Sequence, residues 1–306
     1  MGRGYDRAVL EDPDIGVRIG ELSRRVGVSA DVLRAWERRY GVLSPQRSRA
    51  GQRLYTRADE QRVRFMQESM RAGYSPRVAA RLALRDGNPD AELDAPPPLD
   101  ALAASLSEAL DGYRDSAAHD ALEALRAAYG IEVVLTRVVL PLLREIGERW
   151  ARAELTVSQE HFASGLVVGW LRSLVRGWDQ GDGPCVLAAC PAGEAHDLGL
   201  LCFSVLLRER GNRIAYLGAS VPIDSLFVTA QQLDPDLVLI AGVPEEPFWN
   251  SFEALTELSD LYKLMLGGAG ASAALGAQLR AEVLPQDPTA AANVVVAARS
   301  ARVASA

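Results

Sequence analysis

The residues best suited to chemistry form one cluster, Glu194, His196 and Asp197, in the glycine-bounded stretch 193–199. The cluster follows an apolar run of strand length, Cys185 to Cys190, so it should lie at the carboxyl end of a strand, where open α/β sheets bind ligands. A neutral imidazole there can ligate a metal ion, and a nearby carboxylate can fix its other ring nitrogen. On these residues alone, an ordinary surface-loop histidine between a strand and a helix is the commoner arrangement.

The order Glu194-x-His196-x-x-Gly199 resembles the cobalamin-binding motif of corrinoid proteins. The form that begins with Glu is typical of the CarH/LitR light-sensing repressors. The resemblance implies that His196 is the lower axial ligand of cobalt and that the nucleotide tail of cobalamin enters a Rossmann-like domain. It also implies cofactor contacts for Glu194, Asp197 and Gly199.

A second candidate group, Trp150, Glu160 and His161, lies in the helical middle of the chain. Taken alone, Trp150 would belong to a core, Glu160 to a solvated face, and His161 would be a satisfied polar residue. An indole face can also stack on adenine, and a carboxylate can accept hydrogen bonds from ribose hydroxyls. The spacing Trp150-x9-Glu160-His161 resembles the motif of CarH/LitR sensor bundles. That resemblance implies that these residues cover the 5′-deoxyadenosyl face of adenosylcobalamin.

One position departs from the bundle motif. Well-known family members carry a histidine directly after the tryptophan, and it becomes the upper cobalt ligand after light breaks the cobalt–carbon bond. This chain has Ala151 there, and its three histidines are His119, His161 and His196. A bis-histidine adduct would therefore require His161 to move in, or would not form.

A basic segment precedes both groups. Between Gly16 and Leu84 there are 15 arginines against 6 acidic residues, a charge of +9, whereas the whole chain carries -7. A basic segment on an acidic body is typical of a nucleic-acid-binding module joined to a domain with another role. Two short helices, Ile19 to Val26 and Ala30 to Tyr40, with a turn at Gly27 and a cap at Ser29, predict a helix-turn-helix.

Arginines of the second helix can reach a DNA groove, and the turn-rich stretch Ser44 to Tyr55 is expected to form a wing on the phosphate backbone. The residue order from Val17 to Leu84 resembles the winged helix-turn-helix of MerR-type regulators, which implies double-stranded operator DNA as the partner. The alternative is a small helical interaction domain with a solvated arginine face. The expected DNA-binding residues are Arg34, Arg38, Arg39, Tyr40, Arg47, Arg49, Arg53 and Tyr55.

The composition predicts two or three domains and no membrane segment. The chain has 306 residues, and 48% of them are hydrophobic, which suffices for packed cores. Its three cysteines, an odd and scattered set, indicate buried free thiols in a reducing compartment. Because no stretch resembles a signal peptide or a span of about 20 apolar residues, we expect a cytoplasmic protein without a membrane partner.

We predict a multidomain α and α/β fold: a winged helix-turn-helix head, a four-helix bundle, and a Rossmann-like, parallel-sheet cobalamin-binding domain. Prolines in the linker exclude a coiled coil, so a homo-oligomer, dimer or tetramer, is expected to assemble through the sensor domains. The predicted boundaries are 1–15 for a disordered tail, 16–84 for the head, 85–98 for the linker, 99–180 for the bundle and 181–306 for the Rossmann-like domain.

The elements of the sensor part follow from hydrophobic patterns. The predicted helical segments are Leu99 to Leu110, Ser116 to Tyr129, Ile131 to Arg152 with a kink at Pro141, and Ser158 to Trp178. The predicted strands are Cys185 to Cys190, Arg213 to Leu217, Leu237 to Ala241, Lys263 to Leu266 and Ala292 to Ala297.

Glycines after the predicted strands, Gly242, Gly267 and Gly268, are expected to let the cofactor approach the backbone. Corrinoid proteins often carry a serine at the end of the third strand, and this chain has Ala241, so we expect the loss of one hydrogen bond, about 1 kcal/mol. No G-x-G-x-x-G follows the first strand, which argues against a dinucleotide site.

The three matches predict a regulator rather than an enzyme: a light-responsive repressor that binds adenosylcobalamin and whose oligomerisation controls operator binding. One alternative has the same architecture but senses another corrinoid or a tetrapyrrole, or works without a ligand. Another is a corrinoid carrier or mutase subunit in methyl or radical transfer, against which the basic head argues. The sequence names neither the operator nor the sign of regulation.

Overall fold

The computed structural model describes residues 16–48, 51–84, 96–175 and 177–303. The expected disordered tail, Arg49 and residues 85–95 of the expected linker lie outside these ranges. Contacts divide the chain into two compact units, one made of Met1–Ala104 and Asp120–Val133 and the other of Ser105–His119 and Val134–Ala306. The domain boundaries given above remain predictions.

The first unit contains the predicted helix-turn-helix. Helix α1 (Ile19–Val26) ends at Gly27, whose φ is 69°. Helix α2 (Ala30–Tyr40) begins after Ser29, whose hydroxyl accepts a hydrogen bond from the Val32 amide. A left-handed φ costs glycine little, and the serine cap satisfies one free N–H group of the helix. Both helices therefore have the predicted bounds.

The predicted wing is a hairpin in which β1 (Gln46–Arg47) pairs antiparallel with β2 (Arg53–Leu54). Thr56 and Asp59 form a capping box at the start of the next helix, each side chain accepting from the other's backbone N–H. Asp59 is fully buried and also accepts a hydrogen bond from the Ser44 amide, so it ties the start of the wing to that helix. The two helices after the wing are α3 (Arg57–Arg71) and α4 (Pro76–Leu84).

An apolar core holds the head together. Leu22, Leu33, Val63 and Met66 are each 0% exposed and come from α1, α2 and α3. Burial of side chains of this size contributes about 1.5–3 kcal/mol each. Tyr55, which directly follows β2, belongs to the same cluster, so the core fixes the wing relative to α2.

Four helical segments follow, as predicted. The third is continuous and contains a π-helical turn directly before Pro141, whose ring nitrogen cannot donate to a carbonyl of the preceding turn. The segments are α5 (Leu99–Asp111), α6 (Asp115–Ala128), α7 (Ile131–Val134) with the π-helical turn Leu135–Val139 and α8 (Leu140–Ala151), and α9 (Val157–Ser173).

The prediction that the last of these helices reaches Trp178 was wrong, because α9 ends at Ser173. Trp178 belongs instead to the sheet. Its carbonyl accepts a hydrogen bond from the Ile214 amide at 2.9 Å, and its ring packs edge-on against Tyr216 with ring centroids 5.9 Å apart. The aromatic ring is buried there, and this burial stabilises the fold more than a further turn of the helix would.

The C-terminal part is a five-stranded sheet in the order β4-β3-β5-β6-β7, and every pairing is parallel. Strand β3, the first strand of this sheet along the chain, lies between β4 and β5, so the loops after β3 and β5 border a crevice at the carboxyl edge. The strands are β3 (Cys185–Pro191), β4 (Arg213–Val221), β5 (Leu237–Ala241), β6 (Leu264–Gly267) and β7 (Glu282–Val283). The helices are α10 (Leu198–Glu209), α11 (Ile223–Leu233), α12 (Glu246–Asn250), α13 (Phe252–Leu261), α14 (Ala273–Gln278) and α15 (Pro288–Val303).

The predicted strand Ala292 to Ala297 was wrong, since these residues lie in α15. Three consecutive valines favour a strand, but the alanines on both sides favour a helix. Asp287 accepts a hydrogen bond from the Ala290 amide at 2.7 Å and so caps the first turn, which begins with Pro288. The fifth strand, β7, has two residues and is too short to show a hydrophobic period.

No helix in the described part of the chain is long and apolar enough to cross a membrane. The three cysteines are buried and unpaired, as predicted.

Candidate functional site

The loop after β3 turns at Gly193, where φ is 88°, and buries Glu194 completely. Oε1 of Glu194 accepts hydrogen bonds from the backbone amide of His196 at 2.6 Å and from its Nδ1 at 2.7 Å. The Glu194 carbonyl accepts from the Ser220 amide at 2.8 Å, and the Ser220 hydroxyl accepts from the Gly193 amide at 3.1 Å. These bonds fix the loop to β4.

The imidazole of His196 is oriented for ligation. Because a carboxylate accepts, Nδ1 must carry the proton that it donates, which leaves a lone pair on Nε2. The His196 side chain is 73% exposed, and Nε2 makes no hydrogen bond within the described residues. A carboxylate that fixes one ring nitrogen while the other stays open is the usual arrangement behind a metal-binding histidine.

The second oxygen of Glu194 reaches the neighbouring strand. Oε2 accepts a hydrogen bond from the Val243 amide, two residues beyond β5, at 2.6 Å. Glu194 therefore joins the loops that follow β3 and β5, on both sides of the crevice.

Asp197 ends the loop, and its carboxylate faces β4. The Tyr216 hydroxyl donates to Asp197 Oδ2 at 2.8 Å and lies 3.2 Å from the Asp197 carbonyl. Burial raises the pKa of Tyr216, and the hydrogen bond to the charged Asp197 raises it further, so the phenol remains a donor at neutral pH. The Tyr216 hydroxyl therefore holds Asp197, the residue next to His196, in place.

The predicted glycines fall into two groups. A Cβ on Gly242 would lie 2.8 Å from a ring carbon of Phe248, and one on Gly268 would lie 2.3 Å from the Gly242 carbonyl, so these two permit close backbone packing after β5 and β6. A Cβ on Gly267 would meet only ordinary contacts from 3.8 Å, and one on Gly199 would meet nothing within 4 Å. The protein's own packing does not require glycine at the last two positions, and Gly199, three residues after His196, leaves open space beside the loop.

Helix α9 brings Glu160 and His161 toward this loop. Glu160 accepts hydrogen bonds from the Ser164 hydroxyl at 2.6 Å and from His161 Nδ1 at 2.5 Å. Burial raises the pKa of Glu160, but the hydrogen bonds from Ser164 and His161 and the charges of His161 and His196 outweigh it, so the pKa lies below its ordinary value. The contribution of His196 indicates that Glu160 lies within electrostatic reach of His196.

Trp150 lies near the end of α8 and is 50% exposed, so it is not the core residue that its type alone would predict. Ala151 follows it and ends the helix. An indole that is half exposed at a helix end keeps apolar surface available to a flat group.

The donor set suits a corrinoid better than a bare metal ion. Across residues 16–48, 51–84, 96–175 and 177–303, no group of three or more His, Cys, Asp or Glu side chains could hold a metal ion. A corrin ring supplies four equatorial nitrogens to its cobalt, so the protein needs to supply one axial ligand. The oriented His196, whose Nε2 makes no hydrogen bond within the described residues and which has open space at Gly199, fits that requirement.

Three of the arginines expected on DNA, Arg34, Arg38 and Arg53, line one groove in the head. The groove, of about 790 Å³, lies between α2 and the hairpin, and its lining includes Arg18, Arg34, Arg38 and Arg53 together with one carboxylate, Glu37. Several guanidinium groups around one groove suit the phosphates of a DNA backbone. Arg18 was not predicted, because it lies before the first helix rather than on the second helix or the wing.

The remaining predicted DNA-binding residues are placed in different ways. Arg39 and Arg47 are exposed, whereas Tyr40 packs against the edge of the head core. Tyr55 is 1% exposed, so its ring lies in the core, and it also forms part of the lining of the groove. Its hydroxyl donates to Glu37 Oε2 at 2.8 Å. Burial and this hydrogen bond raise the pKa of Tyr55 to about 12.

Sequence reasoning missed Glu37 and Tyr216. An acidic residue inside an arginine-rich helix, and a tyrosine inside an apolar strand, were the available signals. Neither signal identifies the distant partner, because each partner lies in another element.

Comparisons with known families match three regions of the chain. Residues 17–85 match the MerR HTH family regulatory proteins, residues 102–174 match one B12 binding domain, and residues 184–295 match a second B12 binding domain.

Two curated repressors match most of this chain. The HTH-type transcriptional repressor CarH of Myxococcus xanthus is 33% identical over 266 residues, which cover 83% of this chain and 89% of that protein. The repressor CarA of the same organism is 31% identical over 262 residues, covering 83% and 87%. Among solved structures, the monomethylamine corrinoid protein of Methanosarcina barkeri matches with a TM-score of 0.55 at 17% identity, over 65% of this chain and 98% of that one. This last match concerns the fold alone.

Proposed function

Because this chain belongs to the family of MerR-type transcriptional repressors with B12-binding domains that includes CarH, we propose that it is a repressor whose operator binding is controlled by adenosylcobalamin and light. The observation that carries the proposal is the buried Glu194, which holds the exposed His196 through Nδ1, while Nε2 makes no hydrogen bond within the described residues. The basic groove of the head is the proposed contact with double-stranded operator DNA.

In this proposal His196 would hold the cobalt through Nε2, and Glu194 fixes the ring of His196 through Nδ1. When bound, adenosylcobalamin supplies a cobalt–carbon bond that light breaks. Trp150 and Glu160 are proposed to contact the adenosyl group, the first through its exposed indole face and the second as an acceptor of hydroxyl protons. Gly242, Gly267 and Gly268 are proposed to border the nucleotide tail.

The response to light depends on which imidazole can approach the upper face. Ala151 cannot ligate cobalt, and the His161 side chain on α9 is 75% exposed and bonded to Glu160. A histidine on the upper face would therefore have to be His161, after its contact with Glu160 breaks. This feature favours a second candidate: the same DNA-binding regulator responding to another corrinoid without a light step.

We propose that oligomerisation through the sensor domains links the ligand to DNA. Several heads held in one dimer or tetramer bind neighbouring sites at a high effective concentration, so loss of the assembly is sufficient to release DNA. In this scheme the chain acts in the cytoplasm, where its DNA partner is found, and has no catalytic role.

Absorbance and gel filtration test the ligand. The full chain would be incubated in the dark with adenosylcobalamin, separated from free ligand, and compared with His196→Ala and His119→Ala. His119 is a matched control because it is exposed on α6 and contacts only the local Asp115. We expect the wild type and His119→Ala to retain the corrinoid spectrum and His196→Ala to lose it. Equal retention by all three proteins would contradict the proposed ligation.

Green light separates the two candidate functions. The dark complex would be divided, one half illuminated, and both halves examined for assembly state and for binding to DNA from the region upstream of the regulated gene. The leading proposal predicts a smaller assembly and weaker DNA binding after illumination. Retention of the corrinoid with no change in either quantity would favour the second candidate.

A further inference from the structure

One carboxylate lies where a DNA backbone would approach the head. Glu37 projects from α2 into the groove lined by Arg18, Arg34, Arg38 and Arg53, and its side chain is 20% exposed. A carboxylate facing phosphates repels them, since like charges raise the energy of the complex. Its presence in a groove of arginines therefore requires a compensating gain.

The contacts of Glu37 indicate what that gain is. Oε2 accepts a hydrogen bond from the buried Tyr55 hydroxyl at 2.8 Å, and Oε1 pairs with Nε of Arg53 at 3.2 Å. Arg53 belongs to β2 of the wing, and Tyr55 directly follows that strand. Both carboxylate oxygens of a residue on α2 are thus engaged by the wing side of the groove.

The Arg53 side chain is held at its inner nitrogen and open at its outer end. It is 58% exposed, and its terminal amino groups make no hydrogen bond to another described residue. An arginine restrained in this way loses less rotamer freedom when a phosphate binds to it. The same helix carries a contrasting pair, Asp31 and Arg34, whose contact at 2.9 Å lies within α2 and leaves Asp31 91% exposed.

We propose that Glu37 is a positioning residue for DNA binding, which fixes Arg53 of the wing relative to α2 and so strengthens binding although its own charge is unfavourable. Tyr55 acts through Glu37, because the buried hydroxyl holds the carboxylate in place. The proposal concerns the DNA-binding head alone and does not depend on the cobalamin or light steps.

Neutralising two carboxylates of the same helix tests the proposal. Glu37→Gln and Asp31→Asn each remove one negative charge from α2, so charge alone predicts tighter DNA binding for both. Positioning predicts opposite signs: Asp31→Asn binds as tightly as the wild type or more tightly, and Glu37→Gln binds about two- to tenfold more weakly. The assay is fluorescence anisotropy with the full chain and a short mixed-sequence DNA duplex, over a series of salt concentrations.

The salt series supplies a readout that a purely structural role would not change. The logarithm of the DNA-binding constant decreases linearly with the logarithm of the salt concentration. If Arg53 no longer makes its phosphate contact, this dependence becomes shallower by about one in Glu37→Gln. Binding by Glu37→Gln that equals or exceeds wild-type binding, with an unchanged slope, would overturn the proposal. Equal weakening by Asp31→Asn would overturn it as well.

Tyr55→Phe keeps the proposal testable if Glu37→Gln does not fold. This variant removes one hydroxyl and no charge, so charge alone predicts unchanged DNA binding, whereas positioning predicts weaker binding in the direction of Glu37→Gln. Circular dichroism and gel filtration would establish that each variant has the wild-type fold and assembly state. A folded Tyr55→Phe variant with wild-type affinity and slope would show that Glu37 is not held from the core, and the proposal would fail.

Discussion

Replacement of Glu194 by glutamine tests the arrangement on which the proposed ligand site rests. Glutamine has nearly the same shape, but one of its two acceptor oxygens becomes an N–H₂ donor. In the wild type Oε1 accepts from the amide and Nδ1 of His196, and Oε2 accepts from the Val243 amide. In either orientation of the new amide, at least one N–H group of the protein faces another donor.

The magnitude follows from the burial of the carboxylate, which is 0% exposed. A buried donor without a partner costs about 1–3 kcal/mol, so the free energy of unfolding should fall by at least that range. In a unit of this size, each kcal/mol corresponds to about 2–4 °C in Tm. If the new amide donates toward the imidazole, His196 loses its orienting partner as well, and corrinoid affinity should fall about 10–100-fold.

The matched control is Glu245→Gln. Glu245 lies beyond the same strand, β5, and accepts one hydrogen bond from the Ser272 hydroxyl at 2.8 Å, which a glutamine oxygen can still accept. Thermal unfolding without ligand measures the first effect, and titration with adenosylcobalamin in the dark measures the second. If Glu194→Gln unfolds at the wild-type temperature and binds the corrinoid as tightly as Glu245→Gln does, the reasoning about this carboxylate is refuted.

Three further outcomes are expected. Tyr216→Phe removes the donor to Asp197 and should lower the free energy of unfolding by about 1.5–3 kcal/mol, as for a hydrogen bond to a charged group, and also weaken corrinoid retention; no change in either would contradict the positioning of the loop. Asp59→Asn places an N–H₂ donor opposite N–H groups that donate to the buried carboxylate, including that of Ser44. The free energy of unfolding of the head, measured by chemical denaturation, should fall by about 1–3 kcal/mol, and an unchanged value would contradict the prediction. Because the pKa of Glu160 in the folded protein lies below 4.5, the contribution of its carboxylate to the free energy of unfolding is present above pH 4.5 and is lost as the pH falls through the folded value. Glu160→Gln should therefore lose less stability than the wild type between neutral and acid pH, and an acid transition identical to that of the wild type would disprove the prediction.

Local signals in the sequence predicted the bounds of α1 and α2, the two helices of the helix-turn-helix. Gly27 after α1 and the Ser29 cap before α2 act on their own neighbours, so no tertiary contact is needed to recognise them. Predictions failed where a distant contact decided the outcome. Trp178 lies outside α9 and packs against Tyr216 of the sheet, and β7 forms because two residues pair with β6.

The candidate sites show the same division. The types and spacing of Glu194 and His196 were sufficient to propose a ligand site, because residues two apart in a tight loop must lie close together. The bond from Val243 to the other carboxylate oxygen could not be predicted, since it joins positions 49 residues apart.

The sequence by itself determined most of the elements and the basic head, and it singled out His196 as the candidate ligand, because capping, charge and hydrophobic period act over a few neighbouring residues. Only the tertiary structure decided which groups hold the functional side chains in place. The loop after β3 is fixed through β4 and β5, and Glu37 is engaged from across a groove, because strand order and core packing bring distant residues to hydrogen-bonding distance.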